Sequence, residues 1–162
     1  MTKKLIFRGG ALALLVVLLG STVLASAGQP SAQAAPDLEG SRWILASYVD
    51  ASGETVPALP NREPTAEFGG GRVSGSAGCN TYAASYEAGD GKLTTGRAIS
   101  TMMACEPSIM AQERAYLKNL QAAAGYKIAD GQLVIADAQG KALLTLGAEK
   151  PPVLAGATWL MS

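Results

Sequence analysis

The chain has 162 residues, with 13 basic and 13 acidic side chains, two cysteines and no histidine. Without an imidazole, Ser-His-Asp and Cys-His nucleophilic catalysis lack their base, and two thiolates alone do not fill a tetrahedral zinc shell, so neither a metal nor another cofactor is expected. The charge balance also argues against a nucleic-acid partner, which would call for Lys and Arg concentrated on one face, and the length suits one compact domain.

Lys3, Lys4 and Arg8 precede an apolar run from Ala11 to Ala25 that ends in Ala25-Ser26-Ala27. This is the pattern of a secretory signal peptide over residues 1–27, with Ala32-Gln33-Ala34 as a second small-x-small cutting site. Gly28 stands where a lipid-anchored protein needs a cysteine, so a secreted or periplasmic protein is expected rather than a lipoprotein. The alternative is an uncleaved single span, which would be the protein's one association with a membrane. Cleavage after Ala27 leaves ten basic against thirteen acidic groups, a formal charge of −3.

Residues 28–36, rich in Ala, Gln, Ser and Pro, read as a flexible tether ahead of a folded domain at 37–147. Trp43 to Val49 suits a strand, and Asp50 to Gly53 a turn. Short strands follow at Thr65 to Phe68 and Arg72 to Ser76, joined through Gly69-Gly70-Gly71, a segment with no Gly-Lys-Ser/Thr to make it a phosphate loop. Tyr82 to Tyr86, Lys92 to Thr94 and Ile99 to Met103 are further extended segments.

A helix is predicted from about Ser108 to Ala123, because Ile109, Glu113, Tyr116, Leu120 and Ala123 recur at steps of four and three and so share one face. Ser108 would cap its start and Gly125 its end. Beyond it, Tyr126 to Ile128, Gln132 to Ala136 and Ala142 to Leu146 form a meander turning at Asp130-Gly131 and at Asp137 to Gly140. Strands, one helix, then strands again define an α+β fold, a curved antiparallel sheet packed on a single helix.

Four elements carry a family resemblance: Leu38-x-Gly40-x-x-Trp43-x-Leu45, then Gly75-Ser76-Ala77-Gly78-Cys79-Asn80-Thr81-Tyr82, then Thr101-Met102-Met103-Ala104-Cys105, then Gln112-Glu113. In order and spacing they resemble the META domain, the HslJ-like family of heat-inducible envelope proteins. The resemblance covers Leu38 to Leu146 and implies a sheet like the cracked barrel of secretion pilot lipoproteins. Residues 148–162 read as a linker and, through Leu154-x-Gly156-x-x-Trp159, as the opening of a second, truncated META copy; chance similarity in an apolar tail is the alternative.

An even cysteine pair in an exported chain favours a disulfide between Cys79 and Cys105, with buried thiols or a redox pair as the competing readings. The family-motif positions are Leu38, Gly40, Trp43, Gly75, Gly78, Asn80, Tyr82, Thr101, Met103 and Glu113. Gly78 and Asn80 suit a sharp bend or, alternatively, a polar recognition site. Glu113, on the apolar stripe, suits a partly buried carboxylate that accepts hydrogen bonds from strand backbone or a Tyr hydroxyl.

No catalytic residue is singled out. The expected function is a non-catalytic envelope stress or maintenance factor that binds an unknown partner protein or a small apolar ligand. Two other classes stand beside it: a carboxylate-dependent hydrolase of cell-wall sugars drawing on Glu63, Glu67, Glu87 or Glu113, and a secreted inhibitor or scaffold module.

Overall fold

Alternation of inward apolar and outward polar residues builds the sheet, as in β1 (Arg42–Val49), where Trp43 and Leu45 are buried between exposed Arg42, Ile44 and Ala46. The structure, a computed structural model, describes residues 38–149. The expected signal peptide, the tether and the repeated tail from Leu154 lie outside those residues.

The remaining strands are β2 (Thr55–Pro57), β3 (Thr65–Gly69), β4 (Arg72–Ser76), β5 (Thr81–Gly89), β6 (Lys92–Thr95), β7 (Ile99–Ser100), β8 (Gly125–Ala129), β9 (Gln132–Ala136) and β10 (Ala142–Ala148), with one helix, α1 (Pro107–Gln121), between β7 and β8. All pairings are antiparallel. They run β1-β3-β4-β5-β6-β8-β9-β10 and return from β10 to β1, which closes an eight-strand barrel. Short β2 and β7 pair outside this ring, with the second half of β1 and the first half of β5. The α+β expectation of a barrel with one helix holds.

An eight-strand barrel is just wide enough for side chains to fill. Phe68, Val73, Leu93, Leu133, Ile135, Leu144 and Leu146 fill this one and are essentially inaccessible to solvent. Bulges at Leu45/Ser47 in β1 and Ala142/Leu144 in β10 shift the alternation, so that Tyr48 with Val49 and Leu143 with Leu144 are buried in succession. Three hairpins turn through two residues with positive φ, Gly70-Gly71, Asp90-Gly91 and Asp130-Gly131, the arrangement whose twist matches that of paired strands.

The ring is thinnest between β6 and β8. One residue pair, Lys92 with Gly125, joins them, and a Cβ at Gly125 would stand 3.3 Å from the Gly91 carbonyl. Gly125 therefore opens β8, where close approach requires it, instead of ending the helix. The helix packs against β1, β10 and β6, and Thr95 Oγ1 donates to the Leu120 carbonyl at 2.7 Å.

Three further local expectations differ from the structure. Glu106 occupies the helix N-cap position without a side-chain cap, and Ser108 lies inside the first turn; Pro107 fixes the entry angle at a position whose missing N–H needs no partner. The strand expected to reach Met103 stops at Ser100, because the Thr101 hydroxyl and the Met103 amide turn to Asn80 instead. Ala148 still belongs to β10, and the Glu149 amide donates to the Arg42 carbonyl, so the ladder continues past Leu146.

Candidate functional site

The face that α1 turns to the barrel is polar as well as apolar. Tyr116 and Leu120 are buried, as the stripe predicts, but so are Gln112, Glu113 and Asn119. Each polar group on this face ties the helix to a different part of the barrel. Gln112 accepts from the Leu59 amide and donates to the Arg62 carbonyl, both at 2.7 Å. Tyr116 and Tyr82 bring their hydroxyls to 2.6 Å of one another, and the Tyr82 hydroxyl donates to the Thr65 carbonyl at 3.0 Å. Burial pushes both phenols well above the ordinary tyrosine range.

Glu113 meets Asn80. Its Oε2 accepts from the Asn80 backbone N–H and its Oε1 from Asn80 Nδ2, each at 2.8 Å. The second Nδ2 hydrogen goes to the Met103 carbonyl, while Oδ1 accepts from the Thr101 hydroxyl and the Met103 amide. The Asn80 side chain thus uses its full bonding capacity to join β5, the helix and the loop after β7. Its neighbour Cys79 is bonded to Cys105, Cα atoms 6.1 Å apart, which pins the same loop a second time.

The glycines here have steric reasons. Gly78 has φ +108°, and a Cβ there would stand 3.1 Å from the Arg62 carbonyl and 3.2 Å from Gln112 Nε2; a Cβ at Gly75 would collide with the Thr65 carbonyl. Gly75, Gly78, Cys79, Asn80, Tyr82, Thr101, Met103, Cys105 and Glu113 therefore sit in one connected region. Leu38, Gly40 and Trp43 stand apart at the entry to β1, with no hydrogen bond to the Asn80 group. Leu38 is fully buried, the Gly40 amide donates to the Phe68 carbonyl at 2.7 Å, and Trp43 Nε1 donates to Ser41 Oγ at 2.7 Å.

The polar groups of the Asn80 region are spent on one another and join the helix to the start of β5 and the loop after β7. The four glutamates considered for hydrolysis do not converge. Glu113 is buried on Asn80, Glu67 forms an exposed ion pair with Arg42 at 2.7 Å, Glu63 accepts from the Asn61 amide, and Glu87 is exposed on β5. Among the described residues no cluster of His, Cys, Asp or Glu could hold a metal ion.

One open feature of the surface, of about 460 Å³, lies beside Gly71, Tyr86 and Thr95; another is a cleft of about 470 Å³ along α1, between the turn after β1 and the turn between β9 and β10. Val49, Ala115 and Leu143 contribute to its floor, and Arg114, Lys118 and Lys141 stand at it with Asp50 and Asp137. Both aspartates are committed to their turns. Asp50 Oδ1 accepts from the Ser52 amide and hydroxyl and the Glu54 amide, and Asp137 Oδ1 from the Gln139 and Lys141 amides. The Ser52 hydroxyl, followed by the turn amides, holds the Asp50 carboxyl below its ordinary range.

Sequence reasoning missed this cleft and Asn119 with it, and it gave Gln112 only as part of the Gln112-Glu113 motif, without its burial. A signal existed: Gln112, Tyr116, Asn119 and Ala123 repeat at four, three and four, a row that shares Tyr116 and Ala123 with the apolar stripe. Polar letters on that row hid it from a search for apolar periodicity.

A small antiparallel barrel closed over one helix, braced by a buried Asn-Glu pair and a disulfide, is the class of structure these residues build. The chain belongs to the META domain family, whose family model matches residues 36–150. Among solved structures it is similar to a protein from Burkholderia xenovorans determined by NMR, at 28% identity and a TM-score of 0.58, over 70% of this chain and 85% of that one. A second NMR structure, at 24% identity and a TM-score of 0.52 over 67% of this chain and 89% of that one, shares the fold. So does a DUF4847 family protein from Bacteroides vulgatus, at 15% identity and a TM-score of 0.51 over 70% and 96%. No curated protein matches the chain.

Proposed function

We propose that this META-domain protein is a non-catalytic binding module of the cell envelope, secreted or periplasmic, that acts in stress or maintenance by holding a small apolar ligand or a partner protein. The observation that carries the reading is the cleft along α1, a concave surface with an apolar floor and a few charged groups at its edge. The signal-peptide pattern and the Cys79–Cys105 bond support an oxidising compartment. Among the described residues no helix is long and apolar enough to cross a membrane.

Hydrolysis of sugars by a carboxylate pair fits less well. Such chemistry needs one carboxyl kept protonated as the general acid, whereas Asp50 is held on the ionised side by its turn. The test is to incubate the purified protein with envelope lipid extract and with cell-wall glycan fragments. Native mass spectrometry should find a retained apolar ligand, and a reducing-end assay should find no new sugar ends. Release of reducing ends in proportion to protein added would overturn the reading.

A further inference from the structure

We infer that the cleft along α1 recognises N-acylated amino acids, with the carboxylate at Arg114 and Lys118, the amide N–H at Asn119 and the acyl chain on the apolar floor. The inference rests on the binding-module reading and gives its ligand a chemical class.

Asn119 is the informative residue. The residue is 7% exposed and lines the cleft. Nδ2 donates to the Val49 carbonyl at 2.7 Å and the Leu143 carbonyl at 3.4 Å. Two carbonyl neighbours fix which end of the amide is nitrogen, so Oδ1 must be the remaining end. No described residue donates to that oxygen, yet no fully buried side-chain atom lacks a partner. Oδ1 is therefore reached by solvent from the cleft, an acceptor on a rigid, nearly buried side chain. In the empty cleft water can satisfy it, and a ligand that displaces that water must bring an N–H or O–H donor of its own.

The charges select the other end of the ligand. Three cations and two carboxylates line the cleft, but they are not equally free. Lys141 Nζ donates to the Gly53 carbonyl at 3.3 Å, and each aspartate has one oxygen drawn into a turn. The side chains of Arg114 and Lys118, one turn apart on α1, make no hydrogen bond or ion pair with any described residue. A guanidinium with an ammonium beside it suits a carboxylate, which the planar fork can take through two bonds. The small side chains of Ala111, Ala115 and Ala122 leave the room that an acyl chain would fill, over Val49 and Leu143. A simple fatty acid fills the floor and meets the cations but brings no N–H to Asn119; a neutral acyl amide fills the floor and pairs Asn119 but brings no carboxylate to the cations.

Three probes separate these terms in a ¹H–¹⁵N NMR titration of the purified protein: N-octanoylglycine, octanoate, and uncharged N-octanoylglycinamide. N-octanoylglycine should move the resonances of Ala115, Leu143 and the Asn119 side-chain amide. Octanoate and N-octanoylglycinamide should each bind about tenfold more weakly, the scale of one lost hydrogen bond or charge contact. The double variant Arg114→Ala/Lys118→Ala should weaken N-octanoylglycine about tenfold and leave the uncharged amide unchanged. Both side chains are exposed, so the variant should keep the native spectrum elsewhere. Equal affinity for all three probes, or shifts confined to residues away from Asn119, would overturn the inference. Octanoate binding as tightly as N-octanoylglycine would do the same while leaving the binding-module reading standing. Only failure of every apolar probe together with sugar release would remove both.

Discussion

The Glu113 carboxylate grips Asn80 twice, taking its backbone N–H on one oxygen and its side-chain amide on the other, each at 2.8 Å. Glu113 lies in the helix, Asn80 just before β5, and the loop from Thr101 to Cys105 hangs on the same asparagine. A motif that suits, in sequence, a sharp bend or alternatively a recognition site is thus a three-way joint between parts of the chain distant from one another.

Breaking that joint should be costly. Glu113→Ala removes the acceptor from two buried Asn80 donors, and each orphaned donor costs about 1 to 3 kcal/mol. A loss of about 2 to 5 kcal/mol is expected in urea unfolding followed by circular dichroism. Glu113→Gln keeps one acceptor oxygen and should lose less. A loss below about 0.5 kcal/mol for the alanine variant would mean that the joint does not form.

The disulfide is expected to matter on the same scale. Closing a loop between positions 26 apart contributes about 3 to 4 kcal/mol on chain-entropy grounds. Thiol counting on denatured, unreduced protein should find no free thiol, and reduction should lower the unfolding midpoint markedly. Two free thiols per chain would rule the bridge out.

Leu120 is 1% exposed at the point where the helix enters the core shared with Trp43. Leu120→Ala should cost about 2 to 5 kcal/mol, the range for a buried leucine whose site cannot collapse. Equilibrium unfolding of the variant measures this directly, and an effect typical of surface residues would put the wrong helix face inward.

Alkali should unfold the protein through Tyr82 and Tyr116. Burial raises both phenols above the value of about 10 they have in the unfolded chain. The folded state therefore favours the neutral form: the contribution is fully present below about pH 10 and is lost as pH rises above it. Absorbance at 295 nm should show these two ionising together with the loss of circular dichroism. Tyr82→Phe with Tyr116→Phe should carry the alkaline midpoint to higher pH; an unmoved midpoint would assign the sensitivity to other groups.

The barrel was legible where one rule governed each residue. Apolar and β-branched runs bounded by turn residues marked β1, β3, β4, β9 and β10, and Asp130-Gly131 marked its hairpin. The three-residue β2 was invisible because Thr55-Val56-Pro57 is too short to show a period and pairs only with a strand already bulged. Closure between β1 and β10 was equally hidden, because no local pattern records which edges meet. The Glu113 stripe was readable, but Asn119 was not: its burial comes from two carbonyls, of Val49 and Leu143, which other strands bring to it. The cleft is likewise assembled from segments far apart in sequence.

The pairing of Trp43 with Ala148 sets the order of events in folding. The ring cannot shut until almost the last residue of the domain is available, whatever local hairpins have already formed. Contacts of such long sequence separation carry a large loop-closure cost and slow the final step. The emerging chain should therefore pass through an open sheet with two unsatisfied edges, and become the native protein only when the final strand arrives.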